Sequence, residues 1–193
     1  MRQLQLVEFV TLDGVMQGLG SPDEDRDGGF EHGGWSAPYT DDVQMQHASA
    51  SWGATTAYLF GRRTYEKMAA FWPHQPRENP MAAHLNDAEK YVATRSLTEL
   101  GWERASILKG DLVPAVEALK ATGEGTIAVL GSGVLSHQLM AAGLVDRYHL
   151  FLHPLLLGTG KRLFDGLEQP IALRLVECTP TTTGVLMLTY VNA

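Results

Sequence analysis

The chain has 193 residues, of which 45% are hydrophobic and 19% are charged, and its formal net charge is −7. This length suits one domain with a proper core, and the composition is typical of soluble globular proteins. The negative charge argues against a protein that binds nucleic acid through its phosphates, although it leaves room for a local basic pocket. We therefore expect a single domain over residues 1–193 that does not bind nucleic acid.

Two further features bear on the compartment. Cys178 is the only cysteine, so an internal disulfide is impossible and a reducing, cytoplasmic setting is favoured. Its surroundings lack the spacing of a metal site, and we expect a buried structural thiol. No window is long and apolar enough for a membrane helix, and the N-terminal MRQLQLVEFV is predicted to be a strand rather than a signal peptide.

Hydrophobic patterning predicts strands and helices that alternate along most of the chain. The predicted strands cover residues 4–10, 56–60, 90–93, 105–108, 127–130, 148–152, 172–178 and 184–191. The predicted helices cover residues 41–52, 63–70, 80–86, 112–121 and 134–142. This alternation indicates an α/β sheet with helices on both faces. Only a Thr-rich turn separates the last two strands, so they should pair antiparallel and make the sheet mixed.

A long polar segment, residues 17–34, separates the first strand from the first helix and is rich in Gly, Asp and Glu. Loops of this length in compact domains are usually functional lids or mobile segments. After this loop, Thr40 is predicted to cap a helix that carries Asp41 and Asp42 in its first turn and runs to about Trp52.

Three predicted strand ends carry residues that suit phosphate binding: Gly61, Arg62, Arg63 and Thr64; Thr94, Arg95 and Ser96; and Gly131, Ser132 and Gly133. Glycine turns at helix N-termini offer free N–H groups and a positive dipole end, and arginines suit an additional phosphate. Ligands of open α/β sheets bind at the carboxyl ends of strands, so the three segments could converge on a dinucleotide. Tight turns and solvated arginines are the alternative, but cations at a helix N-terminus oppose its dipole and need compensation.

In this order the motifs GRRTYE, ATRS, VLGSGVL and GLVDRYHLFLHPLLLGTGKRLF, with LDG after the first strand, resemble the dihydrofolate reductase-like family. The chain is most similar to the branch related to the C-terminal reductase domain of bifunctional riboflavin-biosynthesis proteins (RibD C-terminal domain-like), and the resemblance covers nearly all of it. It implies a three-layer α/β/α fold with a mixed, mostly parallel central sheet and an antiparallel C-terminal hairpin. It also implies that the loop of residues 15–34 covers a nicotinamide, and that NADPH is bound by Gly61, Arg62, Arg63, Thr64, Thr94, Arg95, Ser96, Gly131, Ser132, Gly133, Val134 and Leu135.

The chain departs from the riboflavin-reductase pattern on the substrate side. The lysine that precedes SLDG in that pattern is absent, the motif is TLDG, and Glu8 lies nearby. A DNPxLxxR segment is also absent, and Leu130-Gly131-Ser132 replaces Glu-Gly-Gly. The resemblance therefore implies an NADPH-dependent reductase of a small heterocycle, with 5-amino-6-(5-phosphoribosylamino)uracil as one candidate. The alternatives are a dihydrofolate or pterin reductase and a non-catalytic NADPH-binding protein.

Three aspartates are candidates for the catalytic proton donor. Asp41 and Asp42 lie near the position where dihydrofolate reductases place a carboxylate on the helix after their Trp-containing loop, and Asp13 is the third candidate. Such a carboxylate needs a raised pKa to deliver a proton near neutral pH. Alternatively, Asp41 and Asp42 stabilise a helix N-terminus, and Asp13 is a turn residue.

Other signals predict no metal site but leave a homodimer open. His149 and His153 share one side of a strand, but four residues at about 3.3 Å each separate them by roughly 13 Å, too far for one metal ion. The LGTGK segment at residue 157 lacks the spacing of a phosphate-binding P-loop. The closing strands are rich in apolar residues, among them Leu175 and Val176, and this makes a homodimer plausible.

Overall fold

A computed structural model of the protein describes residues 1–44, 46–47 and 53–193. The strands of the described chain are β1 (Gln3–Thr11), β2 (Thr55–Gly61), β3 (Glu89–Ala93), β4 (Ala105–Ile107), β5 (Thr126–Leu130), β6 (Arg147–His153), β7 (Leu173–Pro180) and β8 (Leu186–Asn192). Its longer helices are α1 (Arg62–Phe71), α2 (Pro80–Asp87), α3 (Leu112–Ala121) and α4 (Gly133–Ala141). Residues 42–44 and 46–47 are also helical, and the predicted end of that helix at Trp52 lies outside the described residues.

All eight strands form one sheet in the order β4-β3-β2-β5-β1-β6-β8-β7. The pairs from β4 through β6 are parallel, whereas β8 pairs antiparallel with both β6 and β7. The predicted mixed sheet and C-terminal hairpin are therefore confirmed. Because β1, β2, β3 and β5 run in the same direction, their carboxyl ends meet at one edge of the sheet.

Strand alternation gives the sheet two apolar faces. On one face, Leu4 and Leu6 of β1 pack with Val116 of α3 and Leu139 of α4. On the other face, side chains of β2 pack with residues of α1 and α2, namely Tyr58, Phe60, Tyr65 and Leu85. Each helix thus covers one face of the sheet with its apolar side, which produces three layers.

The C-terminal end of α2 is stabilised by a buried lysine. The Lys90 Nζ donates hydrogen bonds to the carbonyls of Leu85, Asn86 and Ala88 at 2.7, 3.2 and 2.7 Å, and it lies 4.7 Å from the ring centroid of Trp102. Three donors therefore meet three acceptors, two of them among the last carbonyls of the helix. Lys90 has a structural role on the covered face of β3.

One prediction for the C-terminal strands is wrong. Cys178 is exposed rather than buried, because it lies on β7, the edge strand of the sheet. A register shift between Leu175 and Glu177 also leaves Leu175 and Val176 exposed at 49% each. Within the described residues, none of the helices has the length and apolar character needed to cross a membrane.

Candidate functional site

A cavity of about 1550 Å³ runs along the sheet face that α1 and α2 cover, and it opens at the carboxyl ends of the parallel strands. The structure brings the three glycine- and arginine-bearing segments together here. The residues that line this part of the cavity, which we name the charged end, are Gly61, Arg62, Arg63, Thr64, Thr94, Arg95, Gly131, Ser132, Gly133, Val134 and Leu135. Ser96 is the member of the predicted set that does not line the cavity, since its N–H is turned to the Thr94 hydroxyl at 3.2 Å.

The glycine turn after β5 is fixed to the end of β2. The N–H of Gly61 donates to the Ser132 hydroxyl at 2.9 Å, which joins the two strand ends. Gly131 and Ser132 both have left-handed backbones, with φ of 57° and 63°. A side chain at Gly133 would place its Cβ 2.9 Å from the Met16 sulfur. The turn therefore requires small residues and presents bare backbone to the cavity.

Two helices begin at the charged end without a side-chain cap. The capping positions are Gly61 for α1 and Ser132 for α4, and neither forms a side-chain hydrogen bond to its helix. The first N–H groups of both helices thus keep their hydrogen-bonding capacity, and both positive dipole ends meet at this edge of the sheet. Such an arrangement suits an anionic diphosphate.

The arginines at the charged end differ in their pairing. Arg62 pairs with Glu66 one helical turn away at 3.1 Å, and Arg63 is hydrogen-bonded to Asp27 of the polar loop. Arg95 is exposed and forms neither a hydrogen bond nor an ion pair with any described residue. It is therefore the arginine best able to receive a phosphate without first breaking an existing ion pair.

The polar loop lies at the cavity mouth and contributes acidic groups to it. Val15 and Phe30 are buried, and the Trp35 indole N–H donates to the Gln17 carbonyl at 2.7 Å. Lys161 pairs with Asp25 at 2.8 Å and with Asp27 at 2.9 Å. Hydrogen bonds from Lys161 and Arg63 lower the pKa of the Asp27 carboxyl, so the loop offers carboxylates to cations beside the mouth.

Asp13 does not line the cavity and is fully engaged in the turn after β1. Its carboxylate accepts hydrogen bonds from the Thr11 hydroxyl at 2.6 Å and from the N–H groups of Leu157 and Gly158 at 3.2 and 2.8 Å. Burial opposes the effect, but these bonds lower the pKa of Asp13 to about 2. The geometry is that of a turn residue.

Asp41 and Asp42 also lie outside the cavity lining. Asp41, rather than the predicted Thr40, caps the helix, because its carboxylate accepts from the Gln44 N–H at 2.8 Å. It also accepts from the N–H and hydroxyl of Thr182 at 2.7 and 2.8 Å, which ties the helix start to the β7–β8 turn. The bond from the Gln44 N–H is the main cause of the lowered pKa of Asp41, the opposite of what a proton donor needs.

Glu8 is a buried carboxyl group that lines the cavity, and it is not among the three aspartates predicted from the sequence. It is 2% exposed and lies on the α4 side of β1. Its Oε1 is 3.5 Å from the Ser136 hydroxyl, and it accepts a bond from the Gly131 N–H. Burial raises the pKa of Glu8 well above its usual value, because these bonds do not replace its lost hydration. A charged residue in line with Leu4, Leu6 and Val10 was the signal that could have identified it.

Uncharged residues also line the cavity away from the strand ends, and we name this group the apolar end. On the sheet face it is lined by Gln5, Val7, Phe9, Tyr58 and Phe151, and on the helical side by Gln44, Met68, Trp72 and Met81. The rings of Phe9 and Phe151 stack with centroids 4.4 Å apart. These residues come from distant parts of the chain, and no local motif marks them. The period-two alternation of β1 was the available signal for Gln5, Val7 and Phe9.

The two histidines of β6 have separate surroundings. His153 is fully buried, its Nδ1 lies 2.9 Å from the Phe151 carbonyl, and the rings of Trp35 and Tyr39 meet it edge-on. His149 contacts the Thr189 hydroxyl at 3.1 Å, and burial lowers its pKa to about 4. Among the described residues no group of three or more His, Cys, Asp or Glu side chains could hold a metal ion.

Solved structures share this fold. A putative riboflavin biosynthesis protein from Shewanella sp. PV-4 superposes with a TM-score of 0.72 at 20% identity, covering 100% of this chain and 99% of the other. A pyrimidine reductase-like protein from Corynebacterium diphtheriae gives 0.67 at 14% identity over 100% and 92%. Dihydrofolate reductase from Enterococcus faecalis, solved with NADP(H) and RAB-propyl, gives 0.63 at 16% identity over 98% and 96%. The implied dihydrofolate reductase-like fold is confirmed.

Sequence comparison agrees with the fold. The uncharacterized protein YyaP of Bacillus subtilis (strain 168) is 27% identical over 135 residues, which cover 68% of this chain and 71% of YyaP. The family model described as the RibD C-terminal domain matches residues 2–187. This match spans nearly the whole chain, and the family and its fold support a reductase in general terms. The chain therefore belongs to the RibD C-terminal domain family.

Proposed function

We propose that the protein is an NADPH-dependent reductase that transfers a hydride to a small heterocyclic substrate. The observation that carries this proposal is the convergence of two uncapped helix N-termini, the glycine turn and the unpaired Arg95 at one end of a single cavity. In this proposal the two helix starts hold the diphosphate, and Arg95 binds the 2′-phosphate that distinguishes NADPH from NADH.

The length of the cavity suits an extended dinucleotide. Arg95 follows β3, whereas Phe151 lies on β6, and four strand spacings separate these two strands in the sheet. At about 4.8 Å per spacing, the cavity spans roughly 19 Å across the sheet. A cofactor with its 2′-phosphate at Arg95 would therefore direct its nicotinamide toward β1 and β6, where the apolar end begins.

The cofactor would supply the hydride. The protein would bind and orient the cofactor and the substrate, and it would exclude water from them. The loop of residues 15–34 is anchored by the buried Val15 and Phe30 and lies over the mouth, where it can shield a nicotinamide from solvent. Asp13 and Asp41 are poorly suited to donate this proton, since hydrogen bonding lowers the pKa of both. Glu8 is the lining carboxyl group whose environment favours the protonated form.

The substrate is proposed only as a class. The riboflavin-pathway candidate, 5-amino-6-(5-phosphoribosylamino)uracil, carries a phosphate, and Lys67, which lines the cavity next to Met68, is a cation that could pair with it. Reduction of a pterin is the alternative within enzymes. A non-catalytic NADPH-binding protein is the alternative outside them, and NADPH oxidation in the presence of pterins, uracils or quinones distinguishes it from a reductase.

The direct test is a titration of the protein with NADPH and with NADH, followed by the quenching of tryptophan fluorescence, to which Trp72 of the cavity lining contributes. We expect tighter binding of NADPH. Arg95→Ala should weaken NADPH by about 1.5–3 kcal/mol, the usual contribution of hydrogen bonds to a charged group, and leave NADH nearly unchanged. Arg174→Ala, on the exposed edge strand β7, is the matched control. Equal binding of the two cofactors, equal losses for both in Arg95→Ala, or no binding of either would contradict the proposal.

We also propose a homodimer formed through β7. This edge strand exposes Leu175 and Val176, and pairing with a second copy would satisfy its free backbone groups. Elution at the monomer mass across a concentration series would rule the dimer out. We also propose that the protein is located in the cytoplasm, because a single cysteine is typical of proteins from reducing compartments.

A further inference from the structure

Glu8 lies against the glycine turn, on the face of β1 that α4 covers. It is 2% exposed, and its neighbours on that face, Leu6 and Val10 of β1 and Leu150 of β6, are apolar. A carboxyl group among aliphatic side chains loses its hydration, and the loss is costly unless hydrogen bonds within the protein replace it. The hydrogen-bond partners of Glu8 therefore indicate its role.

Both hydrogen bonds of Glu8 lead to Gly131. The Gly131 N–H donates to the carboxyl group of Glu8 directly. The Ser136 hydroxyl lies 3.5 Å from the Oε1 of Glu8 and 3.2 Å from the carbonyl oxygen of Gly131, so it links the two residues. The N–H and the C=O of Gly131 are thus both held from the position of Glu8. These are the two peptide groups that flank the left-handed backbone of Gly131.

The number of protons in this network depends on the charge of Glu8. The Ser136 hydroxyl has one proton, so it can donate to the Gly131 carbonyl or to Glu8, but not to both. A carboxylate at Glu8 therefore competes with the carbonyl for that proton. A protonated carboxyl group instead donates to the Ser136 oxygen, and Ser136 then donates to the Gly131 carbonyl. The neutral acid is the form that completes the network and fixes both sides of the turn.

The titratable groups on the neighbouring elements have other partners. His137 of α4 contacts the carbonyl of residue 163, Lys161 pairs with carboxylates of the polar loop, and Arg162 donates to carbonyl groups of two turns. β5 has no titratable side chain. Among the described residues, no charged group contributes to the raised pKa of Glu8, which follows from burial against its two hydrogen bonds. A negative charge on Glu8 would therefore gain no cation from them.

The ligand of the turn would favour the same protonation state. Glu8 and the glycine turn line the same cavity. A diphosphate at the first N–H groups of α4 would be repelled by a carboxylate in these surroundings of low dielectric constant, but not by a neutral carboxyl group. Ionisation of Glu8 would thus loosen the turn and also repel the anion that binds there.

We infer that Glu8 is a positioning residue of the cofactor site, which holds the glycine turn through Gly131 in its protonated form and couples the binding of a dinucleotide diphosphate to the binding of one proton. This inference deepens the proposed function and rests on it. Once the pH exceeds the pKa of Glu8 in the free protein, cofactor binding takes up a proton from solvent. The affinity then falls by up to about tenfold per pH unit, until the pKa of Glu8 in the complex is reached.

The affinity of NADP⁺, measured by calorimetry between about pH 5 and pH 9, tests this inference. The amide of Glu8→Gln accepts from Gly131 and donates to Ser136 at every pH, as the protonated acid does. The 2′-phosphate of NADP⁺ itself titrates near about pH 6, so the ratio of the dissociation constants of wild type and variant is compared. We expect equal binding at the lowest pH, and about tenfold weaker binding by the wild type at the highest. Glu117→Gln, at an exposed position on α3, is the control and should follow the wild type.

Glu8→Leu separates the hydrogen bonds from simple filling of space. Leucine cannot bond to Gly131, so this variant should bind NADP⁺ about three- to tenfold more weakly than Glu8→Gln, the usual value of one hydrogen bond. The pH-dependent ratio does not involve Glu8→Leu, so the test stands even if that variant does not fold.

The outcomes separate this inference from the proposed function. A ratio of wild type to Glu8→Gln that does not change with pH, or equal affinities of Glu8→Leu and Glu8→Gln, would overturn the role of Glu8 while NADP⁺ binding remained. Failure of NADP⁺ to bind to the wild type and to every variant would instead contradict the proposed function.

Discussion

The charged and apolar ends of the cavity are built by different parts of the protein. At the charged end, backbone carries much of the recognition: Gly131 and Ser132 hold a left-handed turn, and two helices begin without caps. At the apolar end, recognition depends on side chains such as Phe9, Gln44 and Phe151, which strands and helices bring together from distant positions. The first kind of site is specified by contiguous residues, whereas the second exists only after the sheet and helices have packed.

This difference explains what could be predicted from the sequence. The strands and helices follow from their hydrophobic periods, and the predicted bounds of α3 coincide with the observed ones. The charged end could be located because its segments follow strands that run in the same direction, so the sheet brings them to one edge. The local motifs therefore contained most of the information on that end.

The errors arise where tertiary packing decides. Cys178 was expected to be buried, but β7 is an edge strand, and its position in the sheet order depends on long-range pairing. Thr40 was expected to cap the helix, but Asp41 does so, because its carboxylate also bonds to Thr182, 141 residues away. Glu8 lies in line with the apolar Leu4 and Leu6 of β1, which indicates a buried position, but its contact with Ser136 of α4 depends on long-range packing.

Among the substitutions that test the difference between the two cavity ends, one at the glycine turn should have the largest effect on stability. A side chain at Gly131 has room, since its Cβ would lie 3.5 Å from Thr64, but the φ of 57° is unfavourable for any other residue. Gly131→Ala should therefore lower the free energy of unfolding by about 1–2 kcal/mol and also weaken NADPH binding. Denaturant unfolding compares it with Gly101→Ala, whose Cβ meets nothing within 4 Å. Equal stabilities of the two variants would show that the turn does not depend on backbone shape.

The second effect is the dependence of stability on pH that Glu8 is expected to cause. Its pKa is raised in the folded protein, whereas in the unfolded chain it ionises above about pH 4.3. The folded state therefore binds more protons, and stability is lost as the pH rises from the unfolded pKa toward the folded one, by up to about 1.4 kcal/mol per unit.

Glu8→Gln removes this proton equilibrium. Its free energy of unfolding relative to the wild type should grow with pH over this window, as measured by denaturant unfolding between about pH 4 and pH 8. A difference that stays constant over the range would show that Glu8 is not buried as an acid beneath the glycine turn.

The smallest effect is expected at the loop. Asp27 pairs with Arg63 and Lys161 beside the mouth, so its carboxylate competes with a cofactor phosphate for both cations. Asp27→Asn should tighten NADPH binding by a small factor that shrinks at high salt, because the group is exposed. The titration is repeated at two salt concentrations with Asp23→Asn, which pairs with Arg26 instead, as the control. Weaker NADPH binding in Asp27→Asn would show that the loop carboxylate supports the cofactor site.

The central claim is that one cavity places the anionic part of NADPH at the strand ends and leaves the apolar end for the substrate. A crystal structure of the complex with NADP⁺ tests it most directly. We predict the 2′-phosphate within hydrogen-bond distance of Arg95, the diphosphate at the starts of α1 and α4, and the nicotinamide ring directed toward Phe9. A cofactor bound in the reverse direction, with its nicotinamide beside Arg95, or bound outside this cavity, would contradict the account.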